Sequence, residues 1–433
     1  MNTSQHPAAP TLPPAMPRRD FLKTTASLAV ATAIGRRPLT AAERTRSVGA
    51  NSRIRIAQIG CGSRGRTAHM EGIYKHVAST NFEIVALADP WSKAREEANG
   101  MVKKWFGRDA KQFVSHRDLL AMEGIDAVMI ASPDHQHTDQ LEAVAKAGKH
   151  IYVEKPLATE LDKLKRSVDA VKAAGTVVQV GTQWRSYPGV GGARAVMQSG
   201  LLGKISRIEE ARNSERPYWY NYLGRDVKEA DVDWKEFLGD RPMRPFTPDQ
   251  YEAWYGFYEF SHGPTAQWAA HFLDCSHYIM GCGFPTSCVS TGGVFTWKDE
   301  HKFTAPDCVQ ATWIYPEGFM LTSSTNFGNS SGNTRKYFGT KGTLSLDNAN
   351  APSYSADGGP KRDGKIRGKV EVTPVECPDH FLNWLQCMRT GETPNASIDD
   401  GYKHAVAVLM AAKAYESGRK TVYDQAQRAI RTV

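Results

Sequence analysis

Between residues 54 and 181, short apolar runs alternate with longer stretches whose apolar positions recur at helical spacing. Ile54–Ile59, Phe82–Ala88, Asp126–Ala131, His150–Val153 and Val177–Val180 are rich in Ile, Val and Ala and read as buried strands. Thr67–Tyr74, Trp91–Trp105, Thr138–Ala147 and Thr159–Ala174 read as helices, the last two closed by Gly148 and Gly175. Strand alternating with helix predicts a parallel sheet covered by helices on both faces.

After Gly181 the pattern changes. Gln183 to Gly203 predicts a crossover helix with a loop, and Tyr218 to Phe260 an aromatic-rich insertion. From Pro285 to Leu346, β-branched and aromatic stretches are punctuated by Thr291-Gly292-Gly293, Tyr315-Pro316-Glu317-Gly318 and Gly339-Thr340-Lys341-Gly342, which predicts a largely antiparallel sheet. Residues 350–370, rich in Gly, Lys, Asp and Pro, read as a mobile surface loop. His380–Met388 and Asp399–Ser417 read as amphipathic helices. The expected fold is α/β: a Rossmann-type domain over 51–182 and an α+β domain with an open sheet over 183–433, preceded by a leader and linker over 1–50.

The formal net charge of +8 shifts that picture less than its size suggests. Residues 1–53 hold eight Arg/Lys against Asp20 and Glu43, leaving 46 basic and 44 acidic residues elsewhere. The basic excess belongs mostly to the leader, so it does not point to nucleic acid. Within the leader, Arg18-Arg19-Asp20-Phe21-Leu22-Lys23 precedes a mildly apolar stretch from Thr24 to Ile34. That order resembles a twin-arginine export signal, so the expected partner is the twin-arginine machinery and the expected location periplasmic. Seven scattered cysteines (61, 275, 282, 288, 308, 377, 387) contain no Cys-x-x-Cys and predict neither a disulfide framework nor a zinc site.

Candidate chemistry begins where the first strand runs into Gly60-Cys61-Gly62-Ser63-Arg64-Gly65. In strand–turn–helix order, Gly60 permits the tight turn, Gly62 lets backbone approach a pyrophosphate, and Gly65 lets helix pack on strand. Ser63 and Arg64 lie in the same turn. Asp89, ending the second strand, is placed to accept from a ribose hydroxyl and favours NAD, with NADP as the alternative through Arg64, Arg66 or Lys93. Ligands gather at the carboxyl ends of parallel strands, so Ser132–His137 and Glu154-Lys155-Pro156 should share the glycine cleft. Lys155 is expected to steady an alkoxide, or to act as base if burial lowers its pKa, with Pro156 fixing the turn, a cis peptide being one way. His137 is expected at the nicotinamide end, Asp134 in a structural role, and Gln183 and Arg185 at substrate hydroxyls. His135 and His137 allow metal ligation by spacing, but no third ligand is evident, so no metal is expected. Tyr218, Trp219, Tyr220 and Trp254 have rings suited to a sugar face or to packing.

These motifs, with Ala147-Gly148-Lys149-His150-Ile151-Tyr152-Val153-Glu154-Lys155-Pro156-Leu157, Val180-Gly181-Thr182-Gln183, Trp234-Lys235-Glu236-Phe237-Leu238-Gly239 and His271-Phe272-Leu273-Asp274, carry a likeness. The chain resembles the Gfo/Idh/MocA family of nicotinamide-dependent oxidoreductases, which includes glucose–fructose oxidoreductase and inositol dehydrogenase, from Arg53 to Asp424. The resemblance implies His271 as acid/base and Lys155 beside it. It also implies a homodimer or homotetramer formed through the open sheet, and exported twin-arginine members. Gln267 stands where the family often carries Asp; it and Asp274 are expected near substrate, although Asp274 matches a commonly structural position. The implied activity is NAD(P)-dependent hydride transfer from a hydroxyl of a sugar, sugar derivative or cyclitol. The alternatives are glycoside cleavage through transient oxidation by tightly bound NAD, favoured by Gln267 and by export, and a non-catalytic sugar-binding regulator.

Overall fold

In the computed structural model, which describes residues 52–433, the five apolar runs of the first half form strands, and a sixth, mostly exposed strand joins them at the sheet edge. These are β1 (Ile54–Ile59), β2 (Phe82–Ala88), β3 (Lys111–Phe113), β4 (Ala127–Ile130), β5 (His150–Val153) and β6 (Val178–Val180). All pair in parallel in the order β3-β2-β1-β4-β5-β6, the doubly wound arrangement whose crevice opens between β1 and β4. The leader with Arg18 and Arg19 lies outside the described residues.

A second sheet has ten strands. They are β7 (Ile205–Asn213), β8 (Ser287–Gly293), β9 (Cys308–Tyr315), β10 (Phe319–Asn326) and β11 (Thr334–Gly339), then β12 (Thr343–Ser345), β13 (Ser353–Ser355), β14 (Lys369–Glu371), β15 (Thr421–Asp424) and β16 (Ala429–Thr432). Their order is β14-β13-β12-β11-β7-β10-β9-β8-β15-β16, antiparallel except for the β7–β10 pair. β9, β10 and β11 alternate buried and open positions, so one face of the sheet packs inward and the other is open. Trp313 on the inner face donates its indole N–H to the Ala407 carbonyl (2.8 Å), which seats the helix Ile398–Ser417 on the sheet.

Three expectations need correction. Residues 350–370 are not a plain loop, because Ser353–Ser355 and Lys369–Glu371 extend the sheet. β7 went unread because its sequence, ISRIEEARN, buries Glu210 on the inner face and so breaks the apolar alternation. The helix after the glycine turn begins earlier than expected, at Arg64, with a wide π-type segment to Met70.

The two sheets are tied together by the C-terminal helices. His380–Thr390 lays Trp384, Leu385 and Met388 against Ile54, Ile56 and Met70 of the first sheet and its helix. Gln179 of β6 accepts from the Ala396 N–H (3.0 Å). In the helix Ile398–Ser417, Gly401 approaches Val180 so closely that a Cβ would come within 2.8 Å of its side chain. These contacts fix the second sheet and its leading helix, Ala269–Met280, across the mouth of the first.

Candidate active site

The β1 turn is built as a cradle. Gly60 has φ +80°, and a Cβ there would lie 2.5 Å from the carbonyl carbon of Ala131 at the end of β4. At Gly62 a Cβ would meet nothing within 4 Å, so that backbone faces open space. This is the fit a pyrophosphate requires: backbone bare of side chain at the head of a helix. The cavity in front is about 830 Å³ and is lined by Gly60, Gly62, Ser63, Arg64, Asp89 and Ser132 among others.

Asp89 accepts from the N–H of Cys61 (2.7 Å) and of Trp91 (2.9 Å), and burial pushes its pKa up. Asp89 also lines the cavity. The cations considered for a 2′-phosphate are engaged elsewhere. Arg66 pairs with Glu97 (2.7 Å), Lys93 sits 5.8 Å over the Trp91 ring, and Arg64 reaches Glu154 (2.6 Å).

The insertion lines the same cavity. Tyr222, Arg225, Tyr251 and Trp254 all line the dinucleotide cavity. The segment is pinned to the first domain: the Asp233 N–H donates to the Pro90 carbonyl (3.0 Å), Gln136 donates to the Glu236 carbonyl (2.9 Å), and Ser115 donates to the Glu236 carboxylate (3.0 Å). The buried Glu252 carboxylate gathers the N–H groups of Arg225 (3.0 Å) and Val227 (3.2 Å), and the Tyr251 hydroxyl donates to Asp89 (3.4 Å). The sequence marked this stretch as long and aromatic and offered Trp254 to a sugar face, whereas Trp254 lines the first cavity.

A second cavity, about 720 Å³, shares Arg64, Ala131, Ser132, Tyr222 and Tyr255 with the first. Glu154 lies beneath it, accepting from the Arg64 guanidinium (2.6 Å) with His69 Nε2 3.1 Å away. Burial works to raise the Glu154 pKa, but Arg64 and His69 outweigh it and hold the carboxyl well below its usual range. Lys155 follows, joined to Pro156 by a cis peptide. Its Nζ donates to the Gln267 carbonyl (2.8 Å) and lies 3.4 Å from the Gln267 side-chain oxygen. Burial lowers the Lys155 pKa, opposed by Glu154 and Asp134. His271 lines the same cavity, its ring stacked on Trp184 (centroids 5.3 Å apart) and its Nδ1 buried without a protein partner. Burial, then the Lys155 charge, holds His271 well below the ordinary histidine pKa.

His137 also lines this cavity, with Nδ1 2.8 Å from the Pro156 carbonyl and Nε2 2.8 Å from that of Ser132. Its orientation is therefore set by β4 and by the Lys155 turn. His135 is turned away, 3.0 Å from the Phe237 carbonyl. Tyr218 and Trp268 line the cavity, and the Tyr218 hydroxyl and Trp268 indole N–H are buried without a protein partner. Trp219 is core and Tyr220 is hydrogen-bonded to Asp299, so neither faces the cavity.

Two substrate expectations are overturned. Arg185 and Asp274 form a buried ion pair (2.7 Å) that Asp400 (3.2 Å) and His404 (3.5 Å) complete. Asp274 is fully buried and Arg185 nearly so; each is the other's counter-ion, which removes both from a substrate's reach. Gln183 lines a third cavity, beyond Arg64, with His69 and Tyr187 rather than Lys155. Asp134, assigned a structural role from the sequence, instead lines the Lys155 cavity and accepts from the Gln267 amide. Its position at the carboxyl end of β4 was the available signal.

A parallel sheet with an open glycine cradle and a lysine at the end of a neighbouring strand, set against a second domain that brings a histidine to the same cleft, defines a two-domain dinucleotide-binding protein. Residues 54–182 match the family model described as oxidoreductase family, NAD-binding Rossmann fold, and residues 237–423 match the family's C-terminal alpha/beta domain. The chain belongs to the Gfo/Idh/MocA oxidoreductase family. Among curated relatives, scyllo-inositol 2-dehydrogenase (NAD(+)) of Bacillus subtilis is 31% identical over 153 residues, covering 35% of this chain and 42% of that protein. The 2,7-anhydro-N-acetylneuraminate hydratase of Escherichia coli is 24% identical over 53% of each chain. The chain thus spans about half the length of the curated relatives it matches. The WlbA dehydrogenase of Bordetella pertussis, solved with NADH and UDP-GlcNAcA, shares the fold at 21% identity and TM-score 0.65, covering 87% of this chain and 99% of that one.

Proposed function

We propose that the protein oxidises a hydroxyl of a sugar, sugar derivative or cyclitol with NAD, Lys155 and His271 acting at the reacting end. The observation that carries this reading is the meeting of two cavities at Arg64, Ala131 and Ser132, one lined by the glycine turn and Asp89, the other by Lys155 and His271. The nicotinamide, when bound, supplies the hydride acceptor. Lys155, drawn toward its uncharged form by burial, takes the proton of the reacting hydroxyl at Nζ and, once charged, steadies oxygen that retains negative charge. His271, neutral for the same reason, lines the cavity and offers its imidazole to the same hydroxyl or its neighbour. The rings of Tyr218 and Trp268, which line the cavity, are suited to the apolar face of a sugar. Relatives named for scyllo-inositol and for 2,7-anhydro-N-acetylneuraminate support this substrate class. NADP is the less favoured cofactor, since Arg66 is taken up by Glu97. The test is Lys155→Met: turnover on the true substrate should fall roughly 100- to 10,000-fold, and intact turnover would overturn the reading.

A second reading is supported by the pinned insertion. A cofactor covered by Tyr222, Arg225, Tyr251 and Trp254 would be released slowly, which suits glycoside cleavage through transient oxidation, where NAD is regenerated in place. In that case aglycone forms without net reduction of added NAD. Export by the twin-arginine route to the periplasm is part of the proposal and rests on Arg18-Arg19 and the stretch after them. Self-association as a dimer or tetramer rests on the open face of the second sheet, where Val289 and Ile314 stand exposed.

A further inference from the structure

Lys155 does not face a carboxylate across the second domain; it faces Gln267, whose amide cannot titrate. The amide nevertheless has a fixed orientation. Its Nε2 donates to Asp134, which directs its Oε1 toward Lys155 Nζ at 3.4 Å. Asp134 and Gln267 are both buried, 3% and 5% exposed, and both line the Lys155 cavity. A carboxyl that sequence position places on the first domain thus reaches the lysine through one side-chain amide from the second.

We propose that Asp134 is the titrating carboxyl of this site, a positioning residue that acts on Lys155 through Gln267 and sets both the aim and the basicity of its amine. The inference rests on the reading of Lys155 as the group beside the reacting hydroxyl. A glutamine directly at the lysine leaves the ammonium less favoured than a carboxylate would, so the amine is freer to take the hydroxyl proton. Asp134, one link away, keeps part of the carboxylate's influence and locks the amide against flipping. The proton balance is simple: the substrate O–H loses a proton and Lys155 Nζ gains it, while Asp134 and Gln267 exchange none with the substrate. Burial pushes Asp134 up and Lys155 down, and the charge of each opposes the shift of the other. The other groups facing the pair are Glu154, Arg64, His271, His137 and the hydroxyls of Tyr218, Tyr222 and Tyr255.

The test uses the full chain as Asp134→Asn, and as Asp134→Asn combined with Gln267→Glu, which exchanges the carboxyl and the amide. The first readout needs no turnover: acetic anhydride labelling of Lys155 against pH, followed by mass spectrometry. Asp134→Asn should lower the labelling midpoint of Lys155 by about one pH unit, and the exchanged pair should raise it to or above the starting value. In active protein, the acid limb of kcat/KM should move in the same directions. An unchanged midpoint in both variants, or equal loss of activity at every pH without a moved limb, would show that Asp134 is merely structural and overturn the proposal. Loss of the catalytic reading would look different: Lys155→Met would stay active while Asp134→Asn still moved the labelling midpoint.

Discussion

Gly60 and Gly62 are two residues apart in one turn, yet the structure predicts opposite consequences for adding a methyl group to each. At Gly60, alanine must adopt φ +80°, which costs an L-residue roughly 1–2 kcal/mol, and its Cβ would press to 2.5 Å from the Ala131 carbonyl. Overpacking of that kind adds about 1–3 kcal/mol, so Gly60→Ala should cost about 3 kcal/mol and lower Tm by roughly 4 °C in a chain of this length. At Gly62 the methyl meets nothing within 4 Å, and φ there is not in the left-handed region. Gly62→Ala should therefore leave the Tm of cofactor-free protein unchanged, or raise it slightly by restricting the unfolded chain. Its effect should fall on NAD instead, because the methyl occupies the space into which backbone and pyrophosphate must meet. Loss of a hydrogen bond to a charged group is worth about 1.5–3 kcal/mol, or roughly 10- to 100-fold in Kd. Thermal melts of the cofactor-free variants and calorimetric titration with NAD measure the two quantities separately. If Gly62→Ala melted like Gly60→Ala while binding NAD as well as the parent, the cradle would be a packing feature and the argument from it would fail.

Two more outcomes follow from buried groups outside the cradle. Asp274→Asn removes one side of a fully buried ion pair and should cost about 3 kcal/mol in urea denaturation, moderated because Asp400 still faces Arg185; a rise in KM at unchanged stability would instead return Asp274 to the substrate. Burial lowers His135 and His277 to about 3, and His262 and His380 to about 4, from an ordinary value near 6.5. These rings stay neutral in the folded state while the unfolded chain takes up protons, so their contribution is intact above about pH 6.5 and is lost as pH falls toward the folded values. Tm should be flat from about pH 8 to 7 and drop steeply below about 6, and a Tm that held to about pH 4.5 would contradict the burial of these rings.

Five strands of the first sheet were legible because they are buried and read as apolar runs, whereas β3, Lys111-Gln112-Phe113, is short and mostly exposed at the edge and shows none. Position at strand ends also located Ser132, His137, Glu154 and Lys155 along one cleft, since a parallel sheet delivers every such turn to the same edge. What stayed hidden depended on partners far apart in sequence. Arg185 looked like a free cation because Asp274, 89 residues away, is brought to it only by the packing of the helix Ala269–Met280. Asp134 looked structural because its partner, Gln267, lies 133 residues away on the other domain. The insertion's hold on the cofactor cavity rests on hydrogen bonds between residues far apart in the chain, such as the Asp233 N–H to the Pro90 carbonyl and Ser115 to Glu236, which local pattern does not show.

The account's central claim is most directly tested on natively purified protein with no cofactor added. Part is denatured to identify any released nucleotide, and the rest is offered sugars, glycosides and inositols, with and without NAD, while reduced nicotinamide and aglycone are followed together. The expected result is an NAD-binding protein that forms reduced nicotinamide on one class of polyhydroxylated substrate, or, on the second reading, releases aglycone with NAD retained and no net reduction. Protein that neither carries nor binds a nicotinamide nucleotide, and turns over none of the panel, would contradict it.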